Sequence, residues 1–427
     1  MMVSSDPYGV VVVHAIITTK TPIEWEAFRQ MVMTYFASHR RFRQRIVKRM
    51  WRWHYFADET AFDLDQHVRR VTLPGLRPDS SYEEQQSALE AFVSVQVQTP
   101  VSFAISPWEF ILIDSLGGGS AVVFRVHHAI ADGITLMRLA MRAFGKVDPA
   151  HALEPTSAGM NQSPSPQPDG LPSRKRSATP QPPSDSAPSV PETVGAFKAL
   201  VKYKKPRAPA PRSLAAKVWA TVRTTVRIIL MRHDPVSTFK PATNITPSVA
   251  CTGRWLRHPL PLSALKQLSY ATGTSVNDVL FCVVSSALRQ YCLRRGVAAS
   301  SLTDPTTIMW VSLQGTDVHK EISFGNKIGA VYLPLPLHVE DDLQRLLAVR
   351  DRTSSLQVSP EPYVARALMA LLGVLPLGLT RHVMGWLAYK PTNSMSNVPG
   401  PQHAVTIAGA EIASQVFFVP PQGTIGN

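Results

Sequence analysis

The stretch AVVFRVHHAIADGITLMRLAMRAF, residues 121–144, decides the fold of this chain. Its first part, 121–126, is rich in β-branched residues and predicts a strand. After Gly133 the apolar residues recur at helical spacing, which predicts a helix. The adjacent histidines, His127 and His128, therefore lie between the end of a strand and the start of a helix. Rigid elements on both sides can fix a side chain at such a position.

A glycine triplet at 117–119 precedes this strand and separates it from another apolar run at 110–113. A hairpin turn and a phosphate-binding loop both use glycines. We expect the hairpin, because no helix opens directly after the glycines.

The pattern His-His-x-x-x-Asp-Gly places a proton acceptor beside the start of a helix. The neutral imidazole of His128 can take a proton from a hydroxyl group at physiological pH. Asp132 is a candidate helix cap, or it fixes the bend through a basic partner. Gly133 permits a backbone conformation that is closed to other residues. The residues alone leave a plainer alternative open, in which both histidines simply fill a polar corner of the core.

The complete pattern resembles the signature of the CoA-dependent acyltransferase superfamily. Five further segments resemble the wax ester synthase/diacylglycerol acyltransferase family and follow in the same order: PWEF (107–110), the Asn277-Asp278 pair, MWVSLQ (309–314), FGNKIGAVYLPLPL (324–337) and SNVPGP (396–401). The resemblance implies an α/β (α+β) fold. The implied fold has two domains, as in chloramphenicol acetyltransferase, and its mixed sheets are flanked by helices.

The resemblance also implies roles for individual residues. His128 would be the general base, His127 would orient the neighbouring ring or line a tunnel, and Asp132 would hold the motif together through an ion pair. Asn277 and Asp278 would either contact substrate or only cap a helix. No metal and no cofactor are implied, since acyl-CoA is a substrate.

The implied reaction moves a fatty acyl group from acyl-CoA to a long-chain alcohol or diacylglycerol, giving wax ester or triacylglycerol. The implied partner is a membrane or lipid-droplet surface on the cytoplasmic face, at the endoplasmic reticulum or a lipid droplet. Two alternatives stay open: a condensation-type domain that forms amide bonds, and a non-catalytic protein with this fold that binds lipid surfaces.

Length and composition predict the domain organisation. A chain of 427 residues with 44% apolar residues is globular and too long for one ordinary core. Ten prolines fall between residues 151 and 195, which predicts a disordered linker. We expect an N-terminal domain at 1–150 that carries the motif and a C-terminal domain at 196–427. Because members of the resembled family continue past QGTIGN, the second domain is expected to be truncated at its end.

The net charge of +14 suits nucleic acid or an anionic membrane surface. No nucleic-acid motif accompanies the basic cluster at 39–53, so we expect no nucleic-acid partner. Residues 213–233 mix apolar and basic side chains, which fits a helix on a membrane surface or an ordinary basic helix. The apolar run at 367–379 is short for a membrane span and fits a core helix or an interfacial segment.

The three cysteines, Cys251, Cys282 and Cys292, do not have the spacing of metal ligands. They also leave one thiol over in any disulfide scheme. A reducing compartment is therefore expected.

Overall fold

The structure is a computed structural model of the chain. It describes residues 12–48, 54–77, 80–146, 213–240, 255, 260–314, 321–398, 400, 401 and 403–419. The predicted linker at 151–195 lies outside the described residues.

A seven-stranded mixed sheet forms the centre of the first half. In spatial order its strands are β4 (Val68–Val71), β5 (Trp108–Leu116), β6 (Gly119–His127), β1 (Val12–Thr19), β12 (Ala410–Phe418), β11 (Val405–Ile407) and β7 (Gly145–Lys146). Strands β4 and β5 run parallel, and the other neighbouring pairs are antiparallel.

Helices cover both faces of this sheet, and a two-stranded hairpin lies beside it. The elements are α1 (Trp25–Val32), α2 (Tyr82–Gln98), α3 (Gly133–Ala143), and the hairpin strands β2 (Gln44–Lys48) and β3 (His54–Asp58). Side chains of β5 alternate between the faces. Phe110 and Leu112 pack with α1 and α3, whereas Ile111 and Ile113 pack with α2. Strand β6 is buried on both faces, and its sequence is mostly apolar, with Arg125 as a buried charged exception.

The predicted hairpin joins β5 to β6. Leu116 pairs with Gly119, and the two residues between them, Gly117 and Gly118, have φ angles of 58° and 86°. Two consecutive positive φ angles are the geometry of a tight hairpin turn that only glycine adopts without strain. The hairpin prediction is confirmed, and the glycines serve the turn.

The second half packs helices around a three-stranded sheet of order β10–β8–β9. Its elements are α4 (Leu214–Leu230), α5 (Leu262–Thr272), α6 (Val276–Arg294), β8 (Thr306–Ser312), β9 (Ile328–Pro334), α7 (Asp342–Gln357), α8 (Glu361–Val374), α9 (Leu377–Ala388) and β10 (Asn393–Met395). Val279 and Phe281 of α6 pack with Leu333 of β9 and Leu346 of α7. Mixed sheets flanked by helices in both halves confirm the predicted fold class.

The last part of the chain returns to the first sheet. Strand β12 pairs antiparallel with β1 over residues 14–19, and β11 joins β12 to β7. Residues 405–418 therefore complete the sheet that carries the motif, although they fall within the range predicted for the second domain. Nothing in the residue pattern had indicated this crossover.

Within the part of the chain that the structure describes, no single helix has the length and apolar composition to cross a membrane. Helices α5 and α6 together meet that test by length and composition, with a bend of 103° between them. The apolar run at 367–379 is divided between α8 and α9.

Candidate active site

The motif forms a tight turn that connects β6 to α3. Strand β6 ends at His127, and the amide of Ile130 donates to the carbonyl of His127 at 2.9 Å. Ala131 then forms a parallel bridge with Gly325, a residue of the second half. The turn is therefore clamped by a segment that lies almost 200 residues away in the sequence.

His128 is partly buried in this turn and contacts Asn326 twice. Its ring Nδ1 lies 2.6 Å from Asn326 Oδ1, and its carbonyl oxygen accepts from Asn326 Nδ2 at 2.8 Å. Burial lowers the pKa of the His128 imidazole below its usual 6.5. Asn326 and the nearby Asp132 partly oppose that shift. The ring is consequently neutral at physiological pH, which is the form that can accept a proton.

Asp132 is fully buried and accepts three hydrogen bonds. Its Oδ1 caps helix α3 by accepting from the amide of Thr135 at 2.9 Å. Its Oδ2 accepts from Gln314 Nε2 at 2.7 Å and from the amide of Lys327 at 3.0 Å. The expected ion pair is wrong: among the ion pairs formed by the described residues, none includes Asp132. Neutral N–H donors from both halves satisfy the carboxylate instead.

His127 points into the protein, and its side chain is buried. Its Nδ1 accepts from the amide of Ala129 at 3.1 Å, which closes the turn, and its ring packs edge-on against Phe103. These contacts give His127 a part in shaping the turn.

Gly133 occupies the first turn of α3 with an ordinary backbone conformation, since it is not among the described glycines with positive φ. The expectation that it needs special conformational freedom is therefore wrong. A Cβ at this position would lie 3.8 Å from Val398 Cγ2, in ordinary van der Waals contact. Gly133 lines an apolar cavity.

That cavity lies between α3 and the first sheet, and its volume of about 770 Å³ includes space that is open to solvent. Gly133, Leu136, Met137 and Ala140 form its helical wall. The facing strands contribute apolar side chains, which include Val13, Ala15, Ile17, Phe110, Phe124, Val416 and Phe417. Such a lining accommodates an apolar chain and offers almost nothing to a charged ligand.

Asn277 and Asp278 start helix α6 and have different environments. Asp278 is buried, forms a capping box with Ser275, and accepts from Thr353 Oγ1 at 2.6 Å. Its carboxylate is thus occupied by structural bonds, and the substrate contact expected of it is not supported. Asn277 is exposed, and its Oδ1 accepts from Asn397 Nδ2 at 2.6 Å. Asn397 belongs to the SNVPGP segment, whose Val398 reaches the cavity beside Gly133.

Sequence reasoning missed two side chains of this site, Asn326 and Gln314. Both lie in segments that resembled the family, FGNKIGAVYLPLPL and MWVSLQ (309–314). An amide side chain in such a segment has no spacing rule that links it to a histidine nearly 200 residues earlier. Only the folded chain brings these amides to the motif.

Comparisons with known proteins agree with these features. The family model described as the wax ester synthase/diacylglycerol acyltransferase catalytic domain matches residues 9–280, and the WS/DGAT C-terminal domain matches 324–427. A protein of Mycobacterium tuberculosis, provisionally named a diacylglycerol O-acyltransferase, is 28% identical over 88% of this chain and 69% of its own length. The O-acyltransferase WSD of Acinetobacter baylyi is 23% identical over 84% of this chain and 71% of its own length.

Solved structures share the fold. The wax ester synthase/diacylglycerol acyltransferase of Marinobacter aquaeolei superimposes with a TM-score of 0.55 at 18% identity, covering 97% of this chain and 84% of that one. The starter condensation domain of rhizomide synthetase gives a TM-score of 0.52 at 12% identity, covering 98% and 78%. Both likenesses concern the fold alone, whereas the catalytic-domain model spans well over half of the sequence. The chain belongs to the wax ester synthase/diacylglycerol acyltransferase family.

Proposed function

We propose that this protein is an O-acyltransferase that moves a fatty acyl group from acyl-CoA to the hydroxyl of a long-chain alcohol or diacylglycerol. The observation that carries the proposal is the position of His128. A neutral imidazole is fixed at the junction of the two halves, and an apolar cavity begins at the last residue of the same motif, Gly133. The condensation-type alternative is not favoured, because the catalytic-domain match is to the lipid acyltransferases.

The reaction needs one proton acceptor and no covalent enzyme intermediate. The hydroxyl oxygen attacks the thioester carbonyl carbon while His128 accepts the hydroxyl proton. The tetrahedral intermediate then collapses, the carbon–sulfur bond breaks, and the imidazolium returns the proton to the departing thiolate. The products are the ester and free CoA. Proton transfer of this kind typically contributes about 10²- to 10⁴-fold to the rate.

The apolar cavity supports a long acyl chain as the substrate group held beside helix α3. Burying a chain there removes each methylene from water, which stabilises the complex by about 0.8 kcal/mol per methylene before the costs of ordering are counted.

We also propose that the protein works on the cytoplasmic face of a membrane, such as the endoplasmic reticulum, or on a lipid droplet. Helix α4 supports this, because large apolar side chains on it are exposed, among them Trp219 at 69% and Leu230 at 72%. Lys217 and Arg223 add positive charge to the same helix. The buried Lys390 Nζ holds the end of α4 by donating to the carbonyls of Ile228, Ile229 and Met231.

An assay of the purified chain tests the reaction. Labelled palmitoyl-CoA is incubated with hexadecanol or with a diacylglycerol, and the lipids are separated afterwards. We expect labelled wax ester or triacylglycerol from the wild type and a loss of about 10²- to 10⁴-fold in His128→Ala. The control is His338→Ala, since that ring lies on the surface beside Asp304. An inactive wild type that still binds vesicles would favour the non-catalytic alternative.

A vesicle assay tests the surface. The double variant Trp219→Ser, Leu230→Ser is expected to sediment less with vesicles that contain anionic lipid, because it exposes less apolar area to them. Tyr82→Ser serves as the control, since Tyr82 is 60% exposed but lies on α2. Equal binding by all three proteins would contradict the proposed role of α4.

A further inference from the structure

The side-chain amide of Asn326 faces His128 with both of its polar atoms. Its Nδ2 donates to the His128 carbonyl at 2.8 Å, and its Oδ1 lies 2.6 Å from the ring Nδ1. A carbonyl oxygen can only accept, so the NH₂ group must be the end that faces it. The amide oxygen is then the end that faces the ring. Since that oxygen also only accepts, Nδ1 must carry the proton.

We propose that Asn326 is a positioning residue that fixes the tautomer of His128, so that Nδ1 is protonated and Nε2 holds the lone pair that accepts the substrate proton. The proposal rests on the proposed function, because it names the atom that acts as the base. A neutral histidine side chain in water carries its proton mainly on Nε2, and that tautomer would present a donor to the hydroxyl. Asn326 reverses this preference.

The amide can impose this choice because its own backbone is held from several sides. Gly325 has a φ of 109°, a conformation that favours glycine, and it pairs with Ala131 of the motif. Arg366 of α8 donates from Nη1 to the Asn326 carbonyl at 2.8 Å. Phe324 packs edge-on against Phe42 of the first half. These contacts fix the backbone from which the Asn326 side chain extends.

The His128 carbonyl partly offsets the lowering of the pKa of its own ring by burial. Asn326 Nδ2 donates to this same carbonyl, so one amide contacts both the ring and the backbone of His128. The tautomer of His128 is therefore fixed only when the segment that carries Asn326 packs against the motif.

Nuclear magnetic resonance on the full chain tests the tautomer without substrate. With ¹⁵N-labelled histidine, and with His128→Ala to assign the signals, we expect Nδ1 of the wild type to be protonated and Nε2 to be unprotonated. In Asn326→Ala we expect a mixture, or the reversed tautomer. A wild type that carries its proton on Nε2 would overturn the proposal, as would an Asn326→Ala protein whose tautomer is unchanged. This readout does not depend on activity, so it stays informative even if acyl transfer is not detected.

Kinetics of three variants separate positioning from loss of structure. Removing the group that fixes a catalytic tautomer lowers kcat by as much as about 10⁴-fold, and we expect Asn326→Ala to lower kcat with little change in KM. In Asn326→Asp a carboxylate beside the ring favours the imidazolium, so the acid limb of the pH profile should move to higher pH. Asp132 is the charged group already acting on this ring, and it is unchanged in these variants.

Gln314→Ala is the matched control. Gln314 also reaches the motif from the second half with an amide, but it donates to Asp132 and not to His128. Its loss should lower kcat without moving the acid limb or changing the tautomer. If Asn326→Asp lowers kcat with the same unshifted pH profile as Gln314→Ala, Asn326 has only a structural role and the proposal fails.

Discussion

At the scale of single residues, His128 and Asp132 have different functions in the motif. The imidazole is kept neutral by burial and held by one amide, whereas the carboxylate is satisfied by three N–H donors from two parts of the chain. Asp132 thereby shapes the loop that presents the base. A buried carboxylate with three neutral donors needs no cation to be stable, which is why the expected ion pair is not required.

Asp132 gives a prediction about stability. An asparagine at this position keeps one acceptor oxygen, but its NH₂ group replaces the other. Because an NH₂ group cannot accept, the N–H donors that it faces lose their hydrogen-bond partner. We expect Asp132→Asn to lower the free energy of unfolding by about 1–3 kcal/mol, close to the loss in Asp132→Ala. Asp341→Asn is the control, because Asp341 is an exposed cap of α7 and Asn caps equally well. Denaturant unfolding measures the free energy of unfolding of all three variants. An Asp132→Asn protein as stable as the wild type would contradict the structural role of the carboxylate.

His128 gives a prediction about pH. Because burial lowers its pKa below 6.5, the ring stays neutral and active as the pH falls through that value. We expect kcat/KM for acyl transfer to remain level down to a pH below 6.5 and to decline only as the imidazole protonates. A pH series of initial rates measures this limb. A decline that begins well above pH 6.5 would mean that the ring is not desolvated as the structure shows.

At the scale of elements, helix α3 has two functions. Its first turn is capped by Asp132 and starts from the motif, and its inner face forms one wall of the apolar cavity. A shift of this helix would therefore change both the position of the base and the space for an acyl chain. The same apolar periodicity that predicts the helix also supplies the cavity wall.

The cavity predicts a change in chain-length preference. Ala140→Phe fills part of the space beside Met137, so a long chain should fit less well than a short one. We expect kcat/KM for palmitoyl-CoA to fall by at least about tenfold relative to hexanoyl-CoA. Met141→Phe is the control, since Met141 lies on α3 but does not line the cavity. An unchanged preference in Ala140→Phe would place the acyl chain elsewhere.

At the scale of the whole molecule, the first sheet depends on both ends of the described chain. Strand β12 pairs with β1 and is reinforced by Lys20 and Glu411, which form an ion pair at 2.5 Å, and by Thr18 and Ser414 at 2.7 Å. The segment around Asn326 crosses between the halves in a similar way. Neither half contains a complete site.

This crossover predicts the effect of a truncation. Removal of residues 405–427 would uncover one edge of β1 and part of the cavity wall. An exposed strand edge pairs readily with other chains, so we expect aggregation and loss of the cooperative unfolding transition. Light scattering and thermal unfolding measure the result, with removal of 420–427 alone as the control. A monomeric truncated protein with an unchanged transition would show that β12 is dispensable.

The sequence by itself determined the local elements around the motif. The strand ending at His127, the glycine hairpin and the helix from Gly133 follow from periodicity and turn chemistry over short windows, and such signals are local. The resemblance supplied the fold class and the role of His128. Only the tertiary structure decided the partners of the motif, which are Asn326, Gln314 and the wall contributed by β12. The physical reason is that these contacts join residues nearly 200 or more positions apart. A hydrogen bond between such residues leaves no periodic trace in either segment.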